Sequence, residues 1–188
     1  MQRSLVNSFE PIPKTFASLK GNVKLNALIN ISIHNFGFSD KEGEFDFYYY
    51  PEGSGNASSA NVTGRSDIEV VKCKVKTLDE YVDENNIQID FIKCDVEGAE
   101  LLVFKGGINA IKKNKPIIFS EILRKWSSKF NYHSNDIIEL FKSVGYGCYF
   151  VIKGRLKEIT TITDETIETN FFFLHQKKHS DLIDKFTK

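Results

Sequence analysis

The sequence predicts an α/β fold, a sheet whose faces are covered by helices, and three observations carry that expectation. The run Ile89-Asp90-Phe91-Ile92-Lys93-Cys94 is too apolar for a strand with one wet face, and it breaks at Asp95. From Ala99 the apolar and small residues change period, with Ala99, Leu102, Val103, Gly106, Gly107, Ala110 and Ile111 at helical spacing. Strand-like and helix-like segments alternate along the rest of the chain, and several of the strands close on an acid.

Taken in order, Ser4 to Phe9 reads as a short strand stopped by Glu10-Pro11, because proline cannot continue a central strand. Pro13 suits a first helical turn, with Phe16 and Leu19 as the apolar face and Gly21-Asn22 as its end. Leu28 to Phe38 reads as the next strand, and Glu44 to Tyr50 alternates as a half-exposed one. Residues 51–67 are rich in Gly, Ser and Asn and read as a flexible loop, either a mobile insertion or a flap over a substrate. Ile68 to Val75 resumes a strand, which makes a β-hairpin insertion. Thr77 and Glu80 have capping-box spacing for a short helix. Lys115 to Glu121 is a strand, Ser134 caps a helix ended by Gly145, and Tyr146 to Ile152 and Asn170 to His175 are the last strands. Residues 177–188 form a polar C-terminal tail of helical character, and the 188 residues make a single domain.

Composition lends some partners no support. Lys plus Arg and Asp plus Glu both number 25, so no field of one sign gathers nucleic acid or anionic lipid. Cys73, Cys94 and Cys148 lie far apart without C-x-x-C spacing and read as reduced core residues, not a disulfide or zinc set. With no signal-like start and no membrane-length apolar run, the expected compartment is the cytoplasm.

The chemistry concentrates at strand ends. Glu10 can accept both hydroxyls of a ribose, since a carboxylate offers two acceptor oxygens. Asp40, after Phe38-Ser39, is either a turn former or a partner for an exocyclic amine. Asp95, Glu97 and Glu100 crowd the junction of a buried strand and a helix, where like charges repel unless a cation, proton or ligand intervenes. Helix N-termini tolerate acids, which accounts for Glu97 and Glu100 structurally but less well for Asp95. Glu121, at the next strand end, should face the same crevice. A raised pKa would fit such carboxylates for general-base work on a hydroxyl, and a divalent-metal site is the competing use. Trp126 and His133 follow Glu121, where a substrate could rest. His34 reads as structural.

Phe9-Glu10-Pro11, Gly37-Phe38-Ser39-Asp40-Lys41-Glu42-Gly43, Thr77-Leu78-Asp79, Asp90 to Glu100, Lys115 to Glu121 and Gly145-Tyr146 resemble, in this order, the FkbM family of S-adenosylmethionine-dependent methyltransferases. The resemblance spans about residues 4–152 and implies a Rossmann-like sheet with O-methylation of a sugar or natural-product hydroxyl. It implies S-adenosylmethionine as cofactor, with Glu10 at its ribose, Phe38, Ser39 and Asp40 around its adenine, and Asp95 toward its methionine end. Asp95, Glu97 and Glu121 are then the candidate catalytic bases, and no metal is implied. The family's opening strand and glycine-rich turn have no counterpart here, so the sheet is expected to be incomplete at its N-terminal strand-helix unit. The expected partners are a small-molecule or glycan acceptor and, through the open sheet edge, a second copy or a complementing N-terminal segment. The alternative is a non-catalytic methyltransferase-like remnant acting as a binding module.

Overall fold

Where the sequence alternates strands and helices, the described residues build three sheets and not one. The structure, a computed structural model, describes residues 4–50, 53–62, 64 and 66–188. Its elements run β1 (Val6–Phe9), α1 (Pro13–Leu25), β2 (Ile31–His34), β3 (Gly37–Phe38), β4 (Gly43–Tyr50), β5 (Gly53–Ser58), β6 (Glu69–Lys76) and α2 (Leu78–Asn85). There follow β7 (Phe91–Cys94), α3 (Glu100–Gly106), α4 (Ile108–Asn114), β8 (Ile117–Glu121), α5 (Arg124–Ser127) and α6 (Ser134–Lys142). The last are β9 (Tyr146–Ile152), β10 (Arg155–Glu158), β11 (Asn170–His175) and α7 (Ser180–Thr187), the helix expected in the tail.

The main sheet has the order β10-β9-β11-β8-β7, with β7 and β8 parallel and β11 antiparallel between β8 and β9. Its core contains Phe104, Phe141, Phe171 and Phe173, all essentially inaccessible, with Ile111, Ile118 and Ile137 around them. β1 and β2 form a separate parallel pair. β3, β6, β4 and β5 form the third sheet, in that order.

That third sheet corrects the expectation of a hairpin insertion whose two strands are joined by a loop throughout residues 51–67. The expected partners β4 and β6 do pair antiparallel from Gly43↔Val75 to Tyr49↔Glu69. Gly53–Ser58, inside the expected loop, adds β5 against β4. Its backbone pairing overrides its Gly- and Ser-rich composition, a tertiary effect that local propensity does not carry. Residues 51, 52, 63 and 65 lie outside the described residues.

Other boundaries move for identifiable reasons. The strand expected over Leu28 to Phe38 breaks at Asn35, whose amide donates to the Glu10 and Pro11 carbonyls (2.9 and 3.0 Å). Thr77 and Glu80 close the capping box of α2 as their spacing suggests. In α6, however, His133 takes the N-cap in place of Ser134: its Nδ1 accepts from the Asn135 amide (3.2 Å), and Asp136 accepts from the His133 amide (2.9 Å). The helix expected from Ala99 to Ile111 divides into α3 and α4 around Gly107. Small residues do bring it close to its neighbours, because a Cβ on Gly106 would run into the Ser39 carbonyl. Finally, β7 is not covered on both faces. It pairs only with β8 among the described residues, and Phe91 is 54% exposed.

Candidate functional site

Between the edge of β1 and the edge of β7 lies a cavity of about 900 Å³. Phe38, Val75, Leu78, Tyr81, Val82 and Ile92 make much of its wall, and Ser39, Asp95, Val96 and Ala99 also line it. The inserted sheet contributes as well, through Phe45, Phe47 and Ser59. The segment that reads as a loop in sequence is therefore part of the cavity wall.

The turn from Val96 to Gly98, where β7 gives way to α3, carries the strongest backbone constraint here. Glu97 adopts φ 54° and Gly98 φ 100°. A non-glycine residue in the left-handed region is uncommon and persists when its surroundings hold it. Ser58 does so from β5, its buried hydroxyl donating to the Glu97 carbonyl (2.9 Å). Glu100 holds the other side, its carboxylate accepting the Val96 and Gly98 amides (3.3 and 3.0 Å). Tyr132 donates to the Gly98 carbonyl (2.8 Å) and lies 3.2 Å from the Glu100 carboxylate. A Cβ on Gly98 would come within 2.9 Å of the Trp126 carbonyl group, so only glycine fits against that backbone.

Glu100, only 1% exposed, thus reads as the brace of this turn, and burial lifts its pKa. Glu97 is the differently placed acid. Burial first, and then the negative charges of Asp95, Glu121 and Glu100, push its pKa up to about 7, with Lys93 opposing. Glu121 is raised too, by burial and then by Asp95. Lys93 donates to Asp95 at 2.7 Å in an exposed pair. Asp95, Glu97 and Glu121 therefore form one electrostatic cluster, as three acids at adjoining strand ends should, and Asp95 lines the cavity.

Glu10 stands apart from that cluster. Its Oε1 accepts the Ile12 amide (2.8 Å), burial raises its pKa, and its charge adds to the burial that lifts the thiol of Cys73 in β6. Neither Glu10 nor Glu121 is among the cavity-lining residues, although Phe9, Pro11 and Asp95 are. Phe38 and Ser39 do line the cavity, whereas Asp40 is exposed beside them and accepts from the Ser39 hydroxyl (3.2 Å).

His133 is a helix cap, and His34 stacks on Phe9 at 4.8 Å with its Nε2 near Asn7 and Tyr81 (3.2 and 3.1 Å). Ser58 and Tyr132 escape the sequence reading, because each reaches the turn from more than 30 residues away. Among the described residues, no group of three or more His, Cys, Asp or Glu side chains is placed to hold a metal ion. No helix among them is long and apolar enough to cross a membrane.

These features can be set beside known proteins. Methyltransferase 1 of Beauveria bassiana (strain ARSEF 2860) is 25% identical, over 55% of this chain and 49% of the relative. The chain therefore spans about half the length of this curated relative. The crystal structure of a methyltransferase FkbM from Methylobacillus flagellatus KT superposes over 90% of this chain and 36% of its own, with a TM-score of 0.53 and 18% identity. That similarity establishes a shared α/β fold. The family described as the methyltransferase FkbM domain matches residues 2–148, and the chain belongs to that family.

Proposed function

We propose that this chain is an S-adenosylmethionine-dependent O-methyltransferase domain of the cytoplasm, built on a Rossmann-like sheet. Its acceptor is a hydroxyl on a sugar or natural-product-like small molecule. S-adenosylmethionine, when bound, supplies an electrophilic methyl group on a sulfonium. The cavity suits such a molecule: Phe38 offers a ring face for adenine, Ser39 a hydroxyl fixed by Asp40, and Asp95 an anionic acceptor. Glu10, whose Oε1 accepts the Ile12 amide, keeps further acceptor capacity on its carboxylate for the ribose hydroxyls.

The observation that carries the reading is Glu97, a carboxyl lifted to about 7 in a cluster with Asp95 and Glu121 and flanked in the chain by the cavity-lining Asp95 and Val96. A general base works best when its pKa lies near the operating pH. Glu97 in its ionised form would take the hydroxyl proton as the acceptor oxygen forms its bond to carbon. Burial, and after it repulsion from Asp95 and Glu121, holds Glu97 in this range, and the braced turn fixes its position for alignment.

The test is methyl transfer to a panel of glycosides and hydroxylated small molecules, read by mass and by the site of the new methyl group. Activity should rise with pH through about 7, as Glu97 loses its proton. Glu97→Gln should cost about 10²- to 10⁴-fold and flatten that rise. Asp95→Asn should move the rise to lower pH, because one repelling charge is gone. Methylation on nitrogen, or an unchanged pH profile in Glu97→Gln, would sink the assignment.

A further inference from the structure

We propose that His175 and His179 form a proton-sensitive latch, which docks the C-terminal helix α7 while both rings are neutral and releases it when they take up protons. The helix needs such a latch. α7 has eight residues and no buried side chain, with Leu182 36% and Phe186 42% exposed. A helix that short is marginal in water, and packing against β10 alone would hold it weakly. The two histidines, by contrast, are 6% and 7% exposed, one at the end of β11 and the other at the N-cap of α7. Hydrogen bonds join them. His175 Nδ1 accepts the amides of Lys177 and Lys178 (3.2 and 3.1 Å), and His179 Nδ1 accepts the amide of His175 (3.0 Å). The His179 amide returns a bond to the His175 carbonyl (2.9 Å).

A backbone amide N–H can only donate, so each Nδ1 must keep its lone pair and each ring its proton on Nε2. Protonating the two rings turns both acceptors into donors that face donors, and three hydrogen bonds are lost. The surroundings disfavour the new charge as well. Burial, then Lys115 at the end of α4, then Lys177 and Lys178 in the connecting turn, hold the His175 pKa below 6.5. Burial, Lys178 and His175 do the same for His179, against one opposing hydrogen bond to the Lys115 backbone. Lys178 is kept close, its ammonium donating to the Asn114 carbonyl (2.8 Å). From β9, Tyr146 sets its ring edge-on to His175 at 5.3 Å. On α7 the first-turn acid, Asp181, is exposed and accepts from Ser180, and β10 brings Arg155, Lys157 and Glu158. A released His175 or His179 binds its proton near 6.5, more readily than the docked one. The latch is therefore at full strength above that pH and loses strength as pH falls through the lowered docked values.

The latch lies at the opposite end of β11 from Glu121, since His175 pairs with Tyr146 and Asn170 with Glu121, and its test needs no methyl donor or acceptor. Nitrogen–proton NMR of the histidine rings in the full chain, from about pH 8 to about pH 5, reads it. At the upper end both rings should carry their proton on Nε2, and both should titrate with midpoints below 6.5. Over the same interval the hydrogen-exchange protection factors of the His175, Lys177, Lys178 and Ile183 amides should fall about 10-fold or more, while those of Ile118 and Phe173 hold. The double substitution His175→Asn and His179→Asn keeps a side-chain oxygen to accept the amides and removes the titration, so the fall should vanish. If asparagine does not dock α7 even at about pH 8, the midpoints and protection factors of the unsubstituted chain decide alone. A proton on Nδ1 at the upper end, midpoints at or above 6.5, or constant protection through the titration would overturn the proposal. So would pH-dependent release that persists in the double variant, or an equal loss of protection at Ile118 and Phe173.

Discussion

The main sheet and the β1-α1-β2 unit are built from the same kind of pattern, a parallel strand pair with an adjoining helix, yet they are secured very differently. Around β7 to β11 the helices α3, α4 and α6 supply a second layer, and Phe104, Phe141, Phe171 and Phe173 are sealed between them. In the other unit α1 buries no residue, and Leu25 and Ile29 are 83% and 80% exposed. What ties this unit to the rest is a patch of rings, Phe9, His34, Phe36, Phe38 and Tyr81, with centroids 4.5 to 5.8 Å apart, and the single buried side chain of Ile12 against Tyr49 and Cys73. The lesson is that amphipathic pattern nominates an element, and the layer packed against it decides how firmly it is held.

The sharpest way to break this comparison is Phe104→Ala. Phe104 is 0% exposed and meets Phe141 edge-on at 4.8 Å. Removing its ring leaves a cavity that the surrounding sheet can only partly close, at a cost of about 3–5 kcal/mol. Urea denaturation monitored by circular dichroism reads it directly. A loss under about 1 kcal/mol would mean that this core is not where the stability resides.

A middle-sized effect should come from Tyr81→Phe, at the seam between the two regions. The Tyr81 hydroxyl donates to Asn7 Oδ1 (3.2 Å) and lies 3.1 Å from His34 Nε2, joining α2 to both strands of the small sheet. The ring remains in the variant, so the loss is that of hydrogen bonding, about 1 kcal/mol. It should appear chiefly as faster hydrogen exchange at the Val6 and Ser8 amides, with the amides of β8 and β11 unchanged. Uniform loosening of both regions would show them to be one cooperative unit.

The same contrast explains which parts of the molecule the sequence makes legible. Local rules succeed where the cause is local: the Thr77 and Glu80 capping box follows from spacing alone, and the change of period at Ala99 marks the start of the helical stretch. They slip by one residue at α6, since a histidine ring nitrogen accepts an amide as a hydroxyl would. They fail where the cause is distant. Gly53–Ser58 becomes a strand only because β4 lies beside it, and Phe91 is exposed only because β7 sits at a sheet edge. In the candidate site, Asp95, Glu97 and Glu121 are legible as acids at neighbouring strand ends, and they do gather. Glu10 has the same sequence signature and stands apart from those three, its Oε1 accepting the Ile12 amide. The turn's braces, Ser58 and Tyr132, carry no signal in their own segments.

The smallest expected effect belongs to Leu19→Ala in α1, and it tests the other half of the comparison. Leu19 is half-buried on a helix that has no fully buried side chain. Truncation loses some apolar contact, but alanine is the better helix former by a few tenths of a kcal/mol, so the two terms oppose. The net change in unfolding free energy should stay below about 1 kcal/mol, against several for Phe104→Ala in the same urea experiment. A Leu19→Ala loss as large as that of Phe104→Ala would mean that α1 is packed as firmly as the main sheet's helices. The exposed Leu25 and Ile29 would then be a poor guide to how the β1-α1-β2 unit is held.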